Sequence, residues 1–121
     1  MKPYMKEVTV FKKLHEFKEK HERLTGDTIP GFPEMVSKIE GKDTAEILMK
    51  ALGPNLRKLL KDCPGHYFSQ TTVYMITIQL IQRLRIMHNL GFVHNDLKLD
   101  NILVGHKDPG QIYLIDFGLT Q

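Results

Sequence analysis

The stretch HNDLKLDN, residues 94–101, gathers carboxylate, amide and ammonium side chains directly ahead of a short aliphatic run. Asp96, Lys98 and Asn101 belong to this stretch, and Asp116 follows a second aliphatic run. Oxygen ligands suit Mg²⁺, which usually retains water and takes only one or two protein carboxylates together with substrate phosphates. Asn101 and Asp116 could therefore hold the metal, while Lys98 faces phosphate charge and Asp96 orients a hydroxyl.

A short β-hairpin is expected to position these groups. The runs ILV at 102–104 and QIYLI at 111–115 flank GHKDPG, which has the composition of a tight turn. Because the charged loop enters this hairpin and Asp116 leaves it, the four side chains should lie at its two ends.

A first helix is predicted over residues 4 to about 24. One half of its helical wheel carries apolar side chains, namely Val8, Val10, Phe11, Leu14 and Phe17. Glu7 lies near the middle of this face, where an ionised carboxylate is costly unless a cation meets it. Residue 11 is not basic, so a local helical pair cannot form and the partner must come from elsewhere.

A second long helix is predicted over residues 70–90. Ser69 is a good N-cap, and Gly91 supplies a left-handed C-terminal residue. Its main apolar face is expected to hold Val73, Ile76, Leu80, Ile81, Leu84 and Met87, with Met75, Ile78 and Ile86 on the other side. A helix that is apolar nearly all round is normally buried on every side. We expect that the rest of so short a chain does not cover it completely.

The segment between these helices is predicted to contain a hairpin, a hinge and a short helix. Residues 34–50 have the pattern of two short strands around a Gly-containing loop. Gly53 and Pro54 break that pattern, and residues 55–62 suit a brief basic helix.

Composition sets the class of protein. The chain has 121 residues, 41% hydrophobic and 26% charged, which fits one ordinary globular domain. Its formal charge of +3 is spread out, so we expect no nucleic acid partner. The single Cys63 cannot pair within the chain, and no window suits a signal peptide or membrane span. The expected protein is soluble and intracellular, cytoplasmic or nuclear, without a membrane association.

The pattern H-x-D-x-K-x-x-N, followed after a hairpin by D-F-G, resembles the catalytic loop and metal-binding motif of eukaryotic protein kinases. The runs LGPNLRKLL and VHNDLKLDNILVG are similar to the casein kinase I family of serine/threonine kinases. This resemblance implies an α+β, protein-kinase-like fold that is incomplete. Residues 1–50 would be an N-lobe remnant with helix αC and two strands, 51–54 the hinge, and 55–121 the start of the helical C-lobe.

The resemblance also implies ATP and Mg²⁺ as cofactors and a protein Ser or Thr hydroxyl as substrate. Asp96 and Lys98 would be catalytic, and Asn101 and Asp116 would bind the metal. The other implied nucleotide contacts are Glu7 through a strand lysine, main-chain groups of Lys50 and Leu52, and the apolar walls Leu103 and Ile115.

Several kinase parts are expected outside this sequence. The glycine-rich loop and the strand lysine would lie before Met1, and the activation segment and A-P-E motif beyond Gln121. The alternative function is therefore a non-catalytic kinase-like module that binds a protein partner, or itself, through the exposed apolar surface of the helix at 70–90. Asn95 replaces the usual Arg, which argues against control by loop phosphorylation, and Leu99 replaces a common Pro.

The remaining polar and sulfur-containing side chains suit structural roles. His94 should pack against the backbone of the metal motif, whereas the other histidines lack ligand spacing. These are His15, His21, His66, His88 and His106. Solvated faces are expected for Lys12, Lys13, Arg57, Lys58 and Lys61. Core filler is expected for Met35, Met49, Met75 and Met87, of which Met49 could also border the nucleotide pocket.

Overall fold

The computed structural model describes residues 3–121 as a helix, a hairpin, two helices and a second hairpin. The elements are α1 Pro3–Thr25, β1 Met35–Glu40, β2 Ala45–Met49, α2 Leu56–Asp62, α3 Gln70–Asn89, β3 Ile102–Val104 and β4 Ile112–Leu114. Short 3-10 turns at Pro64–His66 and Leu99–Asn101 precede α3 and β3. The α+β class expected from the sequence is confirmed.

Helix α1 buries the apolar face that its spacing predicts. Val8, Val10, Phe11 and Leu14 are all less than 8% exposed, and Phe17 is half-buried. The helix ends at Gly26, which adopts a left-handed conformation with φ of 77° and donates its N–H to the carbonyl of Glu22.

Both predicted hairpins are present, and they differ in burial. Strands β1 and β2 pair antiparallel, and most of their side chains are exposed. Strands β3 and β4 pair with Leu103 opposite Tyr113, and Ile102, Ile112 and Leu114 are buried. The second hairpin is therefore the one that lies in the core.

The segment 51–54 is attached to the buried hairpin through its main chain. Gly53 donates its N–H to the carbonyl of Val104 over 2.8 Å, and Val104 donates back to Pro54 over 3.1 Å. Directly afterwards the Asn55 side chain caps α2 by accepting from the Lys58 N–H. The predicted brief basic helix thus begins at a polar cap.

One hydrophobic core joins the two ends of the chain. It unites side chains from α1, α2, α3 and the second hairpin, namely Val10, Phe11, Leu14, Leu56, Met87, Ile102, Ile112, Leu114 and Phe117. The rings of Phe11 and Phe117 meet edge to face at a centroid distance of 5.4 Å. Packing therefore continues across the 51–54 segment.

The ends of helix α3 were predicted correctly, and four of the six residues expected on its main apolar face are buried in the core or pack against it, namely Ile76, Leu80, Leu84 and Met87. Ser69 accepts from the Thr72 N–H, and Gly91 has φ of 89°. Val73 and Ile81, expected on the main apolar face, are 44% and 59% exposed, whereas Arg83 is only 4% exposed. The helical wheel places apolar side chains and did not predict a buried arginine.

The buried guanidinium of Arg83 is tolerated because oxygen atoms surround it. Its donors reach the carbonyl of Ile112 and the side-chain oxygens of Gln79, Gln82 and Gln111, the shortest of these contacts being 2.8 Å to Gln111. Buried polar groups are stable when they are hydrogen-bonded in this way. Desolvation nevertheless lowers the pKa of Arg83.

The outer face of α3 remains exposed, as the length of the chain suggested. Tyr74, Ile78 and Ile81 are each nearly 60% exposed. The prediction of core filler was wrong for Met49 and Met75, which are 38% and 52% exposed. It was correct for Met87, which is fully buried, and Met35 packs against the core. Among residues 3–121, no helix combines the length and apolarity needed to span a membrane.

Candidate active site

The amide of Asn101 organises the charged loop. Asn101 is 5% exposed, and its Nδ2 donates to the Asp96 carbonyl over 2.9 Å and to the Asp96 carboxylate oxygen Oδ2 over 3.2 Å. These two bonds fix the orientation of the amide. They also hold the Asp96 side chain against Asn101, the residue directly before β3.

Lys98 stands beside the same carboxylate. Its Nζ lies 3.7 Å from Asp96 Oδ1, and the lysine side chain is 49% exposed against 22% for the aspartate. The ammonium group is therefore close to Asp96 and also open to solvent. A ligand carrying negative charge could reach it directly.

His94 has the structural role that the sequence predicted. It is 1% exposed, its Nε2 lies 2.9 Å from the Ile115 carbonyl, and its Nδ1 accepts from the Asp96 N–H. Because Nδ1 accepts, Nε2 carries the proton and donates to Ile115. The ring also packs edge-on against Phe117. His94 thereby ties the loop to the residues on either side of Asp116.

Asp116 emerges from the hairpin next to Asn101. Ile115 donates its N–H to the Asn101 carbonyl over 3.0 Å, so Asp116 is one residue beyond a direct backbone contact. Asp116 has φ of 63° and is exposed, whereas Phe117 behind it is fully buried. A non-glycine residue in the left-handed region is uncommon, Asp being among the types that adopt it most readily, and such residues cluster at functional sites.

The donor groups fit a magnesium ion that keeps other ligands. With Asn101 Nδ2 engaged, its Oδ1 accepts no hydrogen bond within residues 3–121, and Asp116 adds a carboxylate. The described residues contain no group of three or more His, Cys, Asp or Glu side chains that could enclose a metal. An ion here would need water and substrate phosphates to complete its coordination, which is how Mg²⁺ is usually bound.

Glu7 is brought towards Asp116 from helix α1. It is half-buried and lies near the Asp116 carboxylate and the backbone of Phe117. Burial and, to a smaller extent, the charge of Asp116 raise the pKa of Glu7. Glu7 forms no ion pair among residues 3–121. The cationic partner that was expected from its place on the apolar face therefore stays a prediction.

The residues expected around an adenine ring lie directly after β2, in the 51–54 segment and on the second hairpin. The Lys50 N–H already donates to the Glu34 carbonyl over 3.0 Å, which leaves only the Lys50 carbonyl for a ligand. Leu52, Leu103 and Ile115 are half-buried. Of the two main-chain groups of Lys50 that were expected to contact adenine, only the carbonyl is therefore available.

Two arrangements of ion pairs near the site were not predicted from the sequence. The Glu34 carboxylate receives Lys18 Nζ at 2.6 Å and Lys50 Nζ at 2.8 Å, and these contacts lower its pKa to about 2. Arg57, expected as a solvated residue, is exposed but contacts Asp100 at 2.7 Å. The partners are far apart in sequence, so no local spacing could have revealed them.

Asn95 contributes structure at the position where kinases usually carry Arg. It has φ of 66°, and its side-chain amide donates to the Leu119 carbonyl over 3.3 Å. Next to it, Val93 and Gln121 exchange two backbone hydrogen bonds. The charged loop and the segment after Asp116 therefore lie side by side.

Comparison with protein-family models agrees with this arrangement. The model of the protein kinase domain matches residues 5–121, which is nearly the whole chain. This chain belongs to the protein kinase domain family. Its two small antiparallel sheets and few helices form an incomplete kinase-like fold. Such domains are phosphotransferases that generally use ATP and Mg²⁺ and act on proteins.

Proposed function

We propose that the chain is part of a serine/threonine kinase of the casein kinase I type, which transfers the γ-phosphate of ATP to a protein Ser or Thr hydroxyl. The observation that carries this proposal is the contact network at the loop. Asn101 binds Asp96 through two hydrogen bonds, Lys98 stands 3.7 Å from Asp96, and the Ile115 to Asn101 bond brings in Asp116.

Each group suits one part of phosphoryl transfer. Asp96 would accept or orient the substrate hydroxyl, and Lys98 would stabilise negative charge on the transferring phosphoryl group. Asn101 Oδ1 and the Asp116 carboxylate would hold magnesium, which when bound neutralises phosphate charge. The protein supplies positioning and electrostatic stabilisation, because phosphoryl transfer asks for little covalent chemistry from it.

The nucleotide would lie between the hinge and the buried hairpin. The Lys50 carbonyl and the main chain of Leu52 would meet the adenine edge, and Leu103 and Ile115 would supply apolar walls. Glu7 would hold a phosphate-binding lysine. The family-specific support is the run LGPNLRKLL, whose Gly53 and Pro54 are bonded to Val104 of β3.

Phosphate transfer tests the proposal directly. The longer kinase that contains this chain, with its glycine-rich loop and activation segment, is incubated with Mg·ATP and dephosphorylated casein, and incorporation of labelled phosphate is measured. We expect transfer that Asp96→Asn reduces by about 10³-fold or more, since the substrate hydroxyl loses its proton acceptor. Asp108→Asn, in the turn between β3 and β4, is the matched control and should retain activity. Equal transfer by the wild type and Asp96→Asn would contradict the proposal.

Nucleotide binding is tested separately by thermal unfolding. A ligand that binds only the folded state raises its stability by mass action, so Mg·ATP should raise Tm. Asp116→Ala should abolish that rise. A rise that persists unchanged in Asp116→Ala would contradict the proposed metal site.

The exposed face of α3 favours a second candidate function, that of a non-catalytic interaction module. Tyr74, Ile78 and Ile81 recur at helical spacing on one exposed stripe. Exposed apolar patches of several hundred Å² usually mark interfaces. If the chain is such a module, Mg·ATP should leave its Tm unchanged, and the purified chain should be oligomeric or bound to a partner. A monomer without dye-binding apolar surface would contradict it.

A further inference from the structure

A small apolar cavity lies between helix α1 and the segment 29–35. Its volume is about 170 Å³, and its walls are mostly apolar side chains, including Leu14, Phe17, Ile29 and Phe32. A cavity of about 150 Å³ with such a lining is large enough to bind benzene. This space therefore matches one aromatic or large aliphatic side chain.

A larger cavity lies beside the first. It measures about 490 Å³ and shares Lys18, Ile29, Phe32, Pro33 and Glu34 with the smaller cavity. From there it extends to residues 50–52 and to the turn at 105–108. We call the two neighbouring cavities the α1 groove. Because they share five lining residues, one extended segment could contact both and insert an apolar side chain into the smaller one.

The charges around the α1 groove are predominantly positive. Its lining includes Lys12, Lys18, Lys50 and Lys107, and the acidic members are Glu34 and Asp108. Glu34 contacts two of the lysines, so this cluster of one carboxylate and two ammonium groups keeps one positive charge. Lys12 and Lys107 are exposed and form no ion pair with residues 3–121. An acidic ligand would find cations at both ends of the groove.

We propose that the α1 groove is a docking site for an extended acidic segment of a partner protein that carries one aromatic or large aliphatic anchor. The anchor fills the smaller cavity, and flanking carboxylates approach Lys12 and Lys107. A second copy is a poorer occupant, because this chain has a formal charge of +3 and would bring like charge to a basic groove. The groove borders Lys50 and Leu52, the proposed adenine contacts, but it includes none of the groups assigned to phosphoryl transfer itself, and the proposal goes beyond the kinase activity.

Fluorescence anisotropy with a defined probe tests the site. The probe is a fluorescein-labelled peptide with one central Phe flanked on each side by glutamates, measured without nucleotide at low and physiological ionic strength. We expect saturable binding that weakens about thirtyfold when the Phe of the peptide becomes Ala, because a buried aromatic anchor dominates such contacts. Ile29→Trp, which fills the small cavity, should cause a similar loss.

Charge reversals at the groove have matched controls in this chain. Lys12→Glu and Lys107→Glu should each weaken binding about fivefold, a size typical of an exposed ion pair. Lys13→Glu and Lys42→Glu make the same change at exposed positions outside the lining and should leave affinity unchanged. These four variants alter surface residues only, so their folding can be verified by circular dichroism.

Three results would overturn the proposal. The first is the absence of saturable binding by the folded wild type. The second is equal affinity for the Phe and Ala peptides, or equal weakening by Lys12→Glu and Lys13→Glu, either of which means general attraction to a basic surface. The third is a dimer by sedimentation velocity that Lys12→Glu and Lys107→Glu dissociate, because the groove would then be covered by a second copy.

Discussion

Single side chains hold the candidate site together mainly by binding backbone groups. His94 bridges the Asp96 N–H and the Ile115 carbonyl, and Asn101 grips both the carbonyl and carboxylate of Asp96. Since neither residue needs to contact a substrate for these roles, their types are dictated by donor and acceptor geometry. Glu34 has a comparable role at the hinge, where it accepts the Lys50 N–H on its carbonyl and the Lys50 ammonium on its side chain.

The depressed pKa of Glu34 makes a prediction about acid stability. Its folded-state pKa of about 2 lies below the ordinary value of 4.5, so ionised Glu34 stabilises the fold above pH 4.5. This contribution is lost as the pH falls from 4.5 towards 2. Because the side chain is 39% exposed, we expect a contribution of only about 1 kcal/mol.

Urea unfolding of Glu34→Gln at pH 6 and pH 2 measures this contribution. The variant should be less stable than the wild type at pH 6, and the difference should shrink at the lower pH. Glu16→Gln, at an exposed position of α1, is the control. If the wild type exceeds the variant in stability by the same amount at both pH values, the ionised carboxylate and its two lysine contacts do not stabilise the fold.

At the scale of the elements, Arg83 locks three of them together. It projects from α3, donates to the Ile112 carbonyl of β4, and lies against Gly31 in the segment after α1. Gly31 in turn accepts the Leu114 N–H. Arg83 therefore fits against Gly31 because Gly31 has no side chain.

Gly31→Ala is predicted to be strongly destabilising. A Cβ at this position would clash with Arg83 Nε, and the backbone has φ of 103°, which disfavours any L side chain. We expect a loss of more than about 2 kcal/mol, measured by urea unfolding. Gly26→Ala is the matched control, because Gly26 also has positive φ but a Cβ there meets nothing within 4 Å. Equal losses in both variants would mean that backbone strain alone, without the Arg83 contact, determines the cost.

At the scale of the whole molecule, helix α1 and the second hairpin share one core. Phe11 from α1 is 4% exposed and meets fully buried Phe117. Apolar packing therefore connects the first helix directly to the segment that follows β4. The chain should accordingly unfold as one unit instead of in two steps.

Phe11→Ala tests this cooperativity. Removing a buried phenylalanine typically costs about 3 to 5 kcal/mol. Far-UV circular dichroism, which reports the helices, and near-UV tyrosine signals should show one coincident transition at lower denaturant in the variant. Leu24→Ala, at a 75% exposed position, should change stability by no more than about 0.5 kcal/mol. Separate transitions for the two signals in the wild type would contradict a shared core.

Local patterns in the sequence determined the elements and the chemistry of the loop. The spacing of Val10, Phe11 and Leu14, the cap at Ser69 and the turn at Gly91 each depend on residues within a few positions, so they could be predicted. The motif around Asp96 and Asn101 likewise indicated a kinase because its residue types are close in sequence. Tertiary structure alone decided that Val73 and Ile81 of α3 stay exposed, that Arg83 is buried among oxygen partners, and that Glu34 contacts two lysines. Those outcomes depend on groups that meet only when distant segments pack, and no local period encodes them.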